Sequence, residues 1–250
     1  MRSYRIIPTL LLKSDGLVKG RKFKNHEYVG DPINAVKLFT ELGADELCIL
    51  DIDSSASGVG PNYLLLEKIV SECFVPISYG GGVNSVEVIK KLLSIGIEKV
   101  ILNTQALASP QFVKEAVTLF GSSTIVVCVD YKKSLLGKYY VFSNCGKINT
   151  GRDLFDWVNE VQKYKIGELI LSSIDNDGEL CGYDFKLLER INNLCNTPLV
   201  ASGGGRGMSD FKLVCELYGA SGAAAGASLI YVGKHRSVLI NYPGENLINS

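Results

Sequence analysis

The second half of the chain repeats the first at a spacing of about 120 residues. Glu46–Asp53, with the sequence ELCILDID, reappears as Glu168–Asp175, with the sequence ELILSSID. The glycine triplet Gly80–Gly82 reappears as Gly203–Gly205. A repeat of this length indicates two copies of one larger structural unit packed together. The fold must therefore accommodate two similar halves.

Eight short β-rich segments alternate with longer amphipathic segments. Several of the short segments are apolar throughout, which is typical of parallel strands covered on both faces. Eight βα units in 250 residues predict an α/β fold, a closed (β/α)8 TIM barrel forming one domain over 1–250. The repeat divides it into half-barrels of about 1–123 and 124–250; a doubly wound open sheet predicts no such repeat. The predicted strands are Arg5–Leu12, Glu46–Asp51, Pro76–Tyr79, Lys99–Asn103, Thr124–Asp130, Glu168–Ser172, Pro198–Ala201 and Ala223–Ala227.

Charge and cysteine usage argue against several classes of protein. The 26 basic and 26 acidic residues balance, so no basic field is available for nucleic acid. The seven cysteines include no CxxC pair and only two histidines accompany them, which argues against a metal site or a disulfide framework. We expect reduced, buried thiols, no metal and no cofactor. Since no apolar run approaches the roughly 20 residues of a membrane span and no leader cleavage site is evident, we expect a soluble, cytoplasmic protein without membrane contact.

Both glycine triplets follow predicted strands, at the barrel end where TIM-barrel active sites lie. One strand later, each is followed by a second small polar loop, Asn103-Thr104 and Gly226–Ser228. Glycine allows backbone N–H groups to close on an anion, and a helix N-terminus beyond adds a favourable dipole. Tight turns alone would explain one triplet. Two triplets at symmetric positions predict a ligand with a phosphate at each end.

A single carboxylate is the candidate acid or base. Asp130 ends the fifth predicted strand, but its counterpart in the first half, by the match of Ile6–Lys13 to Ile125–Lys132, is Leu11. A symmetric carboxylate pair is therefore absent. Lys19, in the loop after the first strand, is a candidate phosphate ligand or a solvated lysine.

Four charged residues begin predicted strands, which places them together at the opposite end of the barrel. Two cations and two anions there can form a ring around the barrel axis. Such a ring either stabilises the barrel bottom or acts as a polar plug through which something small passes. The four residues are Arg5, Glu46, Lys99 and Glu168.

Over nearly its whole length the chain resembles the cyclase subunit of imidazole glycerol phosphate synthase, the HisF-type barrel. The resemblance rests on many short motifs together. They are Arg5–Ile7, Lys19-Gly20, Gly30–Pro32, Asp45–Leu47, Gly80–Gly82, Lys99-Val100, Asn103-Thr104, Val127–Asp130, Asn149–Gly151, Ser173–Asp175, Asp177-Gly178, Gly182–Asp184 and Ala201–Gly204.

The resemblance implies an enzyme, a synthase or lyase linked to a glutamine amidotransferase. In that family a partner glutaminase at the N-terminal face of the barrel supplies ammonia, which passes a charged gate matched here by the four strand-start residues. In that family the ammonia cleaves a bis-phosphate intermediate at the top of the barrel, and cyclisation yields imidazole glycerol phosphate and an aminoimidazole carboxamide ribotide. The residues matching one phosphate grip are Gly82, Asn103 and Thr104. Those matching the other are Asp177, Gly178, Gly204, Ala227 and Ser228.

One departure from the family bears on the reaction. The family uses two aspartates as acid and base; Asp130 matches the second, and Leu11 occupies the first position. Loss of one proton-transfer group typically costs about 10²–10⁴ in rate. This favours a divergent paralogue that supplies ammonia for sugar amidation in surface polysaccharide synthesis. An authentic cyclase of histidine biosynthesis and a non-catalytic, phosphate-binding scaffold are the alternatives.

Overall fold

Eight parallel strands close into a barrel in the computed structural model, which describes residues 4–243. Strand β1 pairs with β8 on one side and β2 on the other, and β5 pairs with β6 to complete the circle. The predicted (β/α)8 barrel is thus confirmed. The strands are β1 Arg5–Lys13, β2 Leu47–Asp51, β3 Ile77–Gly80, β4 Lys99–Leu102, β5 Ile125–Lys133, β6 Glu168–Ser173, β7 Leu199–Ser202 and β8 Gly222–Ala225.

Helices connect the strands and cover the outside of the barrel. Several begin at a residue whose side chain accepts from the first turn, as Asp31 does for α1 and Ser85 for α4. The helices are α1 Pro32–Glu41, α2 Ile52–Ser57, α3 Tyr63–Ser71, α4 Val86–Ile95, α5 Thr104–Ala108, α6 Pro110–Phe120, α7 Leu154–Val161, α8 Phe185–Asn192, α9 Met208–Glu216 and α10 Ala227–Ile230, with 3-10 turns at Ser122–Thr124 and Gln162–Tyr164. None of those within residues 4–243 is long and apolar enough to span a membrane.

The strands divide the apolar residues between two layers because successive side chains point to opposite faces. The outer layer packs strands against helices and buries Phe39, Trp157 and Phe211. The inner layer fills the barrel with smaller side chains, among them Ile7, Cys128 and Ala224. The barrel axis is therefore narrow and apolar in its middle.

Further strands pair antiparallel in hairpins beyond the barrel and alter some predicted boundaries. Gly16–Arg21 pairs with Lys24–Gly30 where a loop was expected after β1. Strand β5 runs three residues past the predicted end at Asp130, because its extension pairs antiparallel with Tyr139–Ser143. That strand in turn pairs with Ile148–Asp153, and Tyr231–Val232 pairs with Ser237–Val238 near the end of the described chain.

Two further expectations need correction. The eighth strand ends at Ala225, so Ala227, which was placed in that strand, is instead the first residue of α10. All seven cysteines are free, as expected, but Cys181 is exposed and three others are only half-buried. Only those on strands or packed beneath helices are fully buried, namely Cys48, Cys128 and Cys195.

Candidate active site

A cavity of about 240 Å³ opens at the C-terminal ends of the barrel strands. Parallel strands place all their C-terminal ends, and the loops that follow, around this one opening. Both glycine triplets line it, although they are more than 120 residues apart in sequence. The predicted site residues that line the cavity are Lys19, Gly82, Asn103, Thr104, Asp130, Asp177, Gly178, Gly204 and Ala227.

The first predicted phosphate grip is formed by the loops after β3 and β4. Gly82 has φ +65°, and a side chain there would lie only 3.0 Å from both Gly60 Cα and Ser54 Cβ. Asn103 and Thr104 lie at the start of α5, and Thr104 Oγ1 accepts from the backbone N–H of Asn144. Glycine at position 82 therefore suits both the left-handed backbone and the close packing of this loop against the segment that contains Ser54 and Gly60.

The second predicted grip is formed by the loops after β6, β7 and β8. Gly204 has φ +103°, and a Cβ there would lie 2.2 Å from the carbonyl oxygen of Gly182, so only glycine fits. Ser228 is not among the residues lining the cavity, but its Oγ is buried and has no hydrogen-bond partner in residues 4–243. A hydroxyl in that state remains available to bind an anion at the N-terminus of α10.

Lys19 is buried, which excludes the alternative of a solvated lysine. The hairpin that follows β1 folds back over the opening and brings its ammonium group against Gly226. The Nζ donates to the Thr9 carbonyl oxygen. Burial lowers the pKa of Lys19 to about 8, and the charge of Asp177 opposes that shift. Lys19 therefore lies beside the second predicted grip as a buried cation.

Asp130 lies on the cavity wall, within β5. Its Oδ2 accepts from Asn103 Nδ2 at 2.7 Å, and its Oδ1 accepts from the Cys128 thiol at 3.6 Å. Burial raises the pKa of Asp130 to about 7, assisted by the charge of Asp177 and opposed by the two hydrogen bonds. An acid that titrates near neutral pH can both donate and accept a proton under physiological conditions.

The raised pKa of Asp130 makes the free energy of unfolding depend on pH. Between its ordinary value of 3.8 and about 7, the folded chain holds a proton that the unfolded chain releases, so stability falls as pH rises through this window. Asparagine cannot ionise. We therefore expect Asp130→Asn to raise the free energy of unfolding above pH 7, by about 1.4 kcal/mol per unit of pKa shift.

Urea unfolding of both proteins at pH 4, 6 and 8 measures this effect. The advantage of the variant should be largest at pH 8 and vanish near pH 4. A wild-type protein that gains stability relative to the variant as pH rises would contradict the assignment of a raised pKa.

Strand β1 has Leu11 at the position of the first aspartate, and this leucine is half-buried and lines the cavity. Ser14 donates through its backbone N–H and its hydroxyl to Asp53 Oδ2. Asp15 accepts from Asn62 Nδ2, outside the cavity. Asp51, the other candidate at this end, caps α2 and accepts from Ser54. These side chains therefore have structural partners.

Among the lining residues that sequence reasoning missed are three side chains carried by hairpins. Phe23 and His26 belong to the hairpin after β1, and Cys145 belongs to the hairpin after β5. Burial lowers the pKa of His26, assisted mainly by the nearby charges of Lys13 and Lys19. Lys24–Gly30 shows no regular alternation of exposed and half-buried residues, so no periodic pattern marked it as a strand, and the direction in which the hairpin folds depends on tertiary contacts.

The four predicted ring residues meet at the N-terminal end of the barrel. Glu46 Oε2 lies 2.5 Å from Arg5 Nη1 and 2.8 Å from Lys99 Nζ. Glu168 contacts Arg5 Nη2 and lies 3.5 Å from Lys99. Burial acts to lower the pKa of Arg5, but Glu168 and Glu46 outweigh it and leave the pKa raised. The result is a closed ring of alternating charges, which we call the charged ring.

A small void of about 20 Å³ lies on the barrel axis between the charged ring and the cavity. Glu46 and Glu168 line its lower part, and it shares Thr9, Cys128 and Ser172 with the upper cavity. The two spaces are thus adjacent along one axis. Small polar side chains, such as Ser78, interrupt an otherwise apolar wall.

Known proteins are similar in sequence to this chain along almost all of its length. Residues 5–236 match a family described as "Histidine biosynthesis protein". The chain is 42% identical over 242 residues to the "Putative imidazole glycerol phosphate synthase subunit HisF" of Leptospira interrogans, covering 96% of this chain and 95% of that protein. It is 42% identical over 245 residues to the "Putative imidazole glycerol phosphate synthase subunit hisF2" of Pseudomonas aeruginosa, covering 98% of each. The "Imidazole glycerol phosphate synthase subunit HisF" of Streptococcus sanguinis is 38% identical over 234 residues, with 94% and 92% covered.

Proposed function

Because this chain belongs to the HisF-type family of imidazole glycerol phosphate synthase cyclase subunits, we propose that it conducts ammonia through its barrel to a site at the top. We infer further that it is a paralogue whose ammonia serves sugar amidation in surface polysaccharide synthesis.

The observation that carries the proposal is a complete charged ring combined with an altered acid/base pair. Glu46 and Glu168 each contact both cations, so the ring closes the lower end of the axis. The axial void above it leads towards the cavity. The ring and the void support a gated path for a small neutral molecule, while Leu11 stands where the family's first aspartate would be.

The surface around the charged ring supports a glutaminase partner there. Four exposed apolar residues lie between the end of a helix and the start of the next strand, and a fifth, Leu119, lies in the last turn of α6, so all five are at the N-terminal end of the barrel. Exposed apolar side chains at this end suit contact with a partner, and their position would let that partner deliver ammonia directly to the ring. The five are Leu42, Phe74, Leu119, Leu194 and Leu217.

The two grips support a bis-phosphate ligand at the top. Gly82, Gly204 and Lys19 line the cavity at the two predicted grips, and Lys19 supplies a buried cation there. Ser228 lies next to the cavity residue Ala227 and has a hydroxyl without a partner in the described chain. A ligand with one phosphate in each grip would span the cavity and lie over Asp130.

An authentic cyclase of histidine biosynthesis is the second candidate, favoured by Asp130 itself. Its pKa of about 7 suits proton transfer at neutral pH, and it lies in the cavity wall. In this case Asp130 would be the single carboxylate of the family's acid/base pair that transfers protons. A scaffold that binds the bis-phosphate without turning it over is the third candidate.

Turnover of the phosphoribulosyl formimino bis-phosphate intermediate with ammonium salt, monitored as imidazole glycerol phosphate, distinguishes these functions. For the paralogue we expect binding of the intermediate but a rate far below the roughly 1 s⁻¹ of an ordinary enzyme. Turnover at or above that rate would identify a cyclase and overturn the proposal. A matched test is rescue of a histidine auxotroph that lacks its own cyclase, which the paralogue should fail.

A further inference from the structure

A histidine of the hairpin after β1 lines the upper cavity with its hydrogen-bonding capacity unused. His26 lies in the second strand of that hairpin, Lys24–Gly30, and is half-buried. Within residues 4–243 its imidazole makes no hydrogen bond to another residue. A neutral imidazole carries one donor and one acceptor, and an imidazolium carries two donors. His26 can therefore form hydrogen bonds to a molecule in the cavity.

The other titratable side chains that line this cavity already have hydrogen bonds within the chain. Some bond to neighbouring side chains and others to backbone groups, as the Lys19 ammonium does to the Thr9 carbonyl oxygen. These residues are Lys19, Asp51, Cys128, Asp130, Cys145 and Asp177. Among the titratable lining residues of the described chain, the imidazole of His26 is thus the group whose hydrogen bonds remain to be made by a ligand.

His26 is separated from the second grip by a single glycine. A Cβ at Gly20 would lie 3.0 Å from His26 Cδ2 and 3.3 Å from its Nε2, so the imidazole packs directly on the backbone of Gly20. On its other side Gly20 packs against the grip, since a Cβ at Gly178 would clash with the Gly20 carbonyl oxygen. The backbone N–H of Lys22 also donates to the Asp177 carbonyl oxygen at 2.8 Å. The hairpin is therefore fixed on the loop of the second grip, with His26 beside it.

The charges that face His26 are mainly positive and come from three segments. Lys13 and Lys19 belong to β1 and its hairpin, Lys147 to the hairpin after β5, and Asp53 to α2. Burial lowers the pKa of His26, the three ammonium groups lower it further, and the Asp53 carboxylate opposes them. The imidazole is therefore mostly neutral at pH 7. A phosphate placed among these groups would reverse the sign of the local charge and favour the imidazolium.

We propose that His26 is a further ligand of the phosphate held by the second grip, and that it takes up a proton from solvent when that phosphate binds. This inference rests on the proposed function, because it requires a bis-phosphate at the top of the barrel. The protonated ring would donate an N–H to a phosphate oxygen, and such charge-assisted hydrogen bonds are stronger than neutral ones. Since the proton is bound more tightly in the complex, the contribution of His26 to affinity is lost as pH rises through the pKa of the bound state.

The first test measures binding of the phosphoribulosyl formimino bis-phosphate intermediate without ammonia, so that no turnover occurs, between pH 6.5 and about 8.5. His26→Leu removes the imidazole, and His26→Gln keeps a hydrogen-bond donor that cannot ionise. His235→Asn is the matched control, because His235 is the other histidine of the chain, is exposed and does not line the cavity. Lys19 and Asp130 titrate near this range in all four proteins, so differences between the proteins report His26.

At pH 7 we expect His26→Leu to bind the intermediate at least about tenfold more weakly than the wild type. His26→Gln should bind with intermediate affinity, and its affinity should depend less on pH than that of the wild type. His235→Asn should match the wild type at every pH. A His26→Leu variant that binds as tightly as the wild type would contradict the proposal.

The second test follows the two histidine rings of the wild-type chain by NMR during a pH titration, with and without the same intermediate. It requires no variant to fold, except that His235→Asn assigns the signals. We expect the titration midpoint of His26 to move upward by about one pH unit or more on binding, and that of His235 to stay unchanged. A His26 midpoint that does not move would exclude proton uptake by this residue.

The outcomes distinguish failure of this inference from failure of the proposed function. Tight binding of the intermediate with no dependence on His26 overturns the inference alone and leaves the bis-phosphate site standing. Absence of binding by the wild type overturns the bis-phosphate site of the proposed function and the role of His26 with it. Because ammonia is left out, neither result depends on whether the bound intermediate can be converted to imidazole glycerol phosphate.

Discussion

Replacing Leu11 by aspartate is expected to raise the rate of imidazole glycerol phosphate formation by about 100-fold or more. Leu11 lines the cavity on β1, and Asp130 lines it on β5. A carboxylate at position 11 would restore a second proton-transfer group, and such groups contribute about 10²–10⁴ in rate. Burial in the same cavity should keep the new carboxyl partly protonated near neutral pH, as it does for Asp130.

The matched control is Leu11→Asn, which has nearly the shape of aspartate but cannot exchange a proton. Both variants are assayed with ammonium salt and the bis-phosphate intermediate, so that the glutaminase does not enter the measurement. A higher rate in Leu11→Asp but not in Leu11→Asn supports the interpretation that the leucine at position 11 is responsible for low cyclase activity. Equal rates for the two variants, or no gain in either, would contradict it.

Replacing Lys99 by methionine is expected to destabilise the chain by about 3 kcal/mol, because it leaves two carboxylates with Arg5 as the remaining cation of the ring. Glu46 is only 3% exposed and Glu168 is 5% exposed, so water cannot replace the lost ammonium group. The same change should lower glutamine-driven activity more than activity with ammonium salt, since the charged ring lies where ammonia from a glutaminase would enter.

Lys91→Met is the matched control for stability. Lys91 lies 3.7 Å from Glu67, and both side chains are about half exposed, so this surface pair should contribute at most about 1 kcal/mol. Urea unfolding at neutral pH compares the two variants. Equal losses of unfolding free energy in the two variants would show that the ring is not a buried network. Equal losses of glutamine-driven and ammonium-driven activity in Lys99→Met would reject a gating role for the charged ring.

Most of the fold could be predicted from the sequence, because each strand and helix is indicated by residues close to one another in the chain. Strand starts and ends agree with the structure within one residue for six of the barrel strands. The exceptions have tertiary causes. Strand β5 continues past Asp130 because an antiparallel partner, Tyr139–Ser143, supplies its hydrogen bonds. Strand β8 ends early because Ala227 begins α10.

Many of the residues that form the candidate site could be predicted from the sequence, but their burial and pKa values could not. Residues at the ends of parallel strands must meet at one end of a barrel, so Gly82 and Gly204 could be placed on one opening from sequence position alone. His26 could not, since it reaches the cavity from a hairpin whose orientation is set by distant contacts, such as that of the Lys22 backbone N–H with the Asp177 carbonyl oxygen.

The alternation of strands and helices and the repeat of that pattern in the second half determined the barrel, because each strand and helix is indicated by residues close together in the chain. Only the tertiary structure decided which charges lose contact with water. Lys19 became a buried cation near Asp177, and Asp130 an acid titrating near pH 7, because segments more than 100 residues apart closed over them. Removal of water sets the pKa of such groups, and no local pattern of residues encodes how completely water is removed.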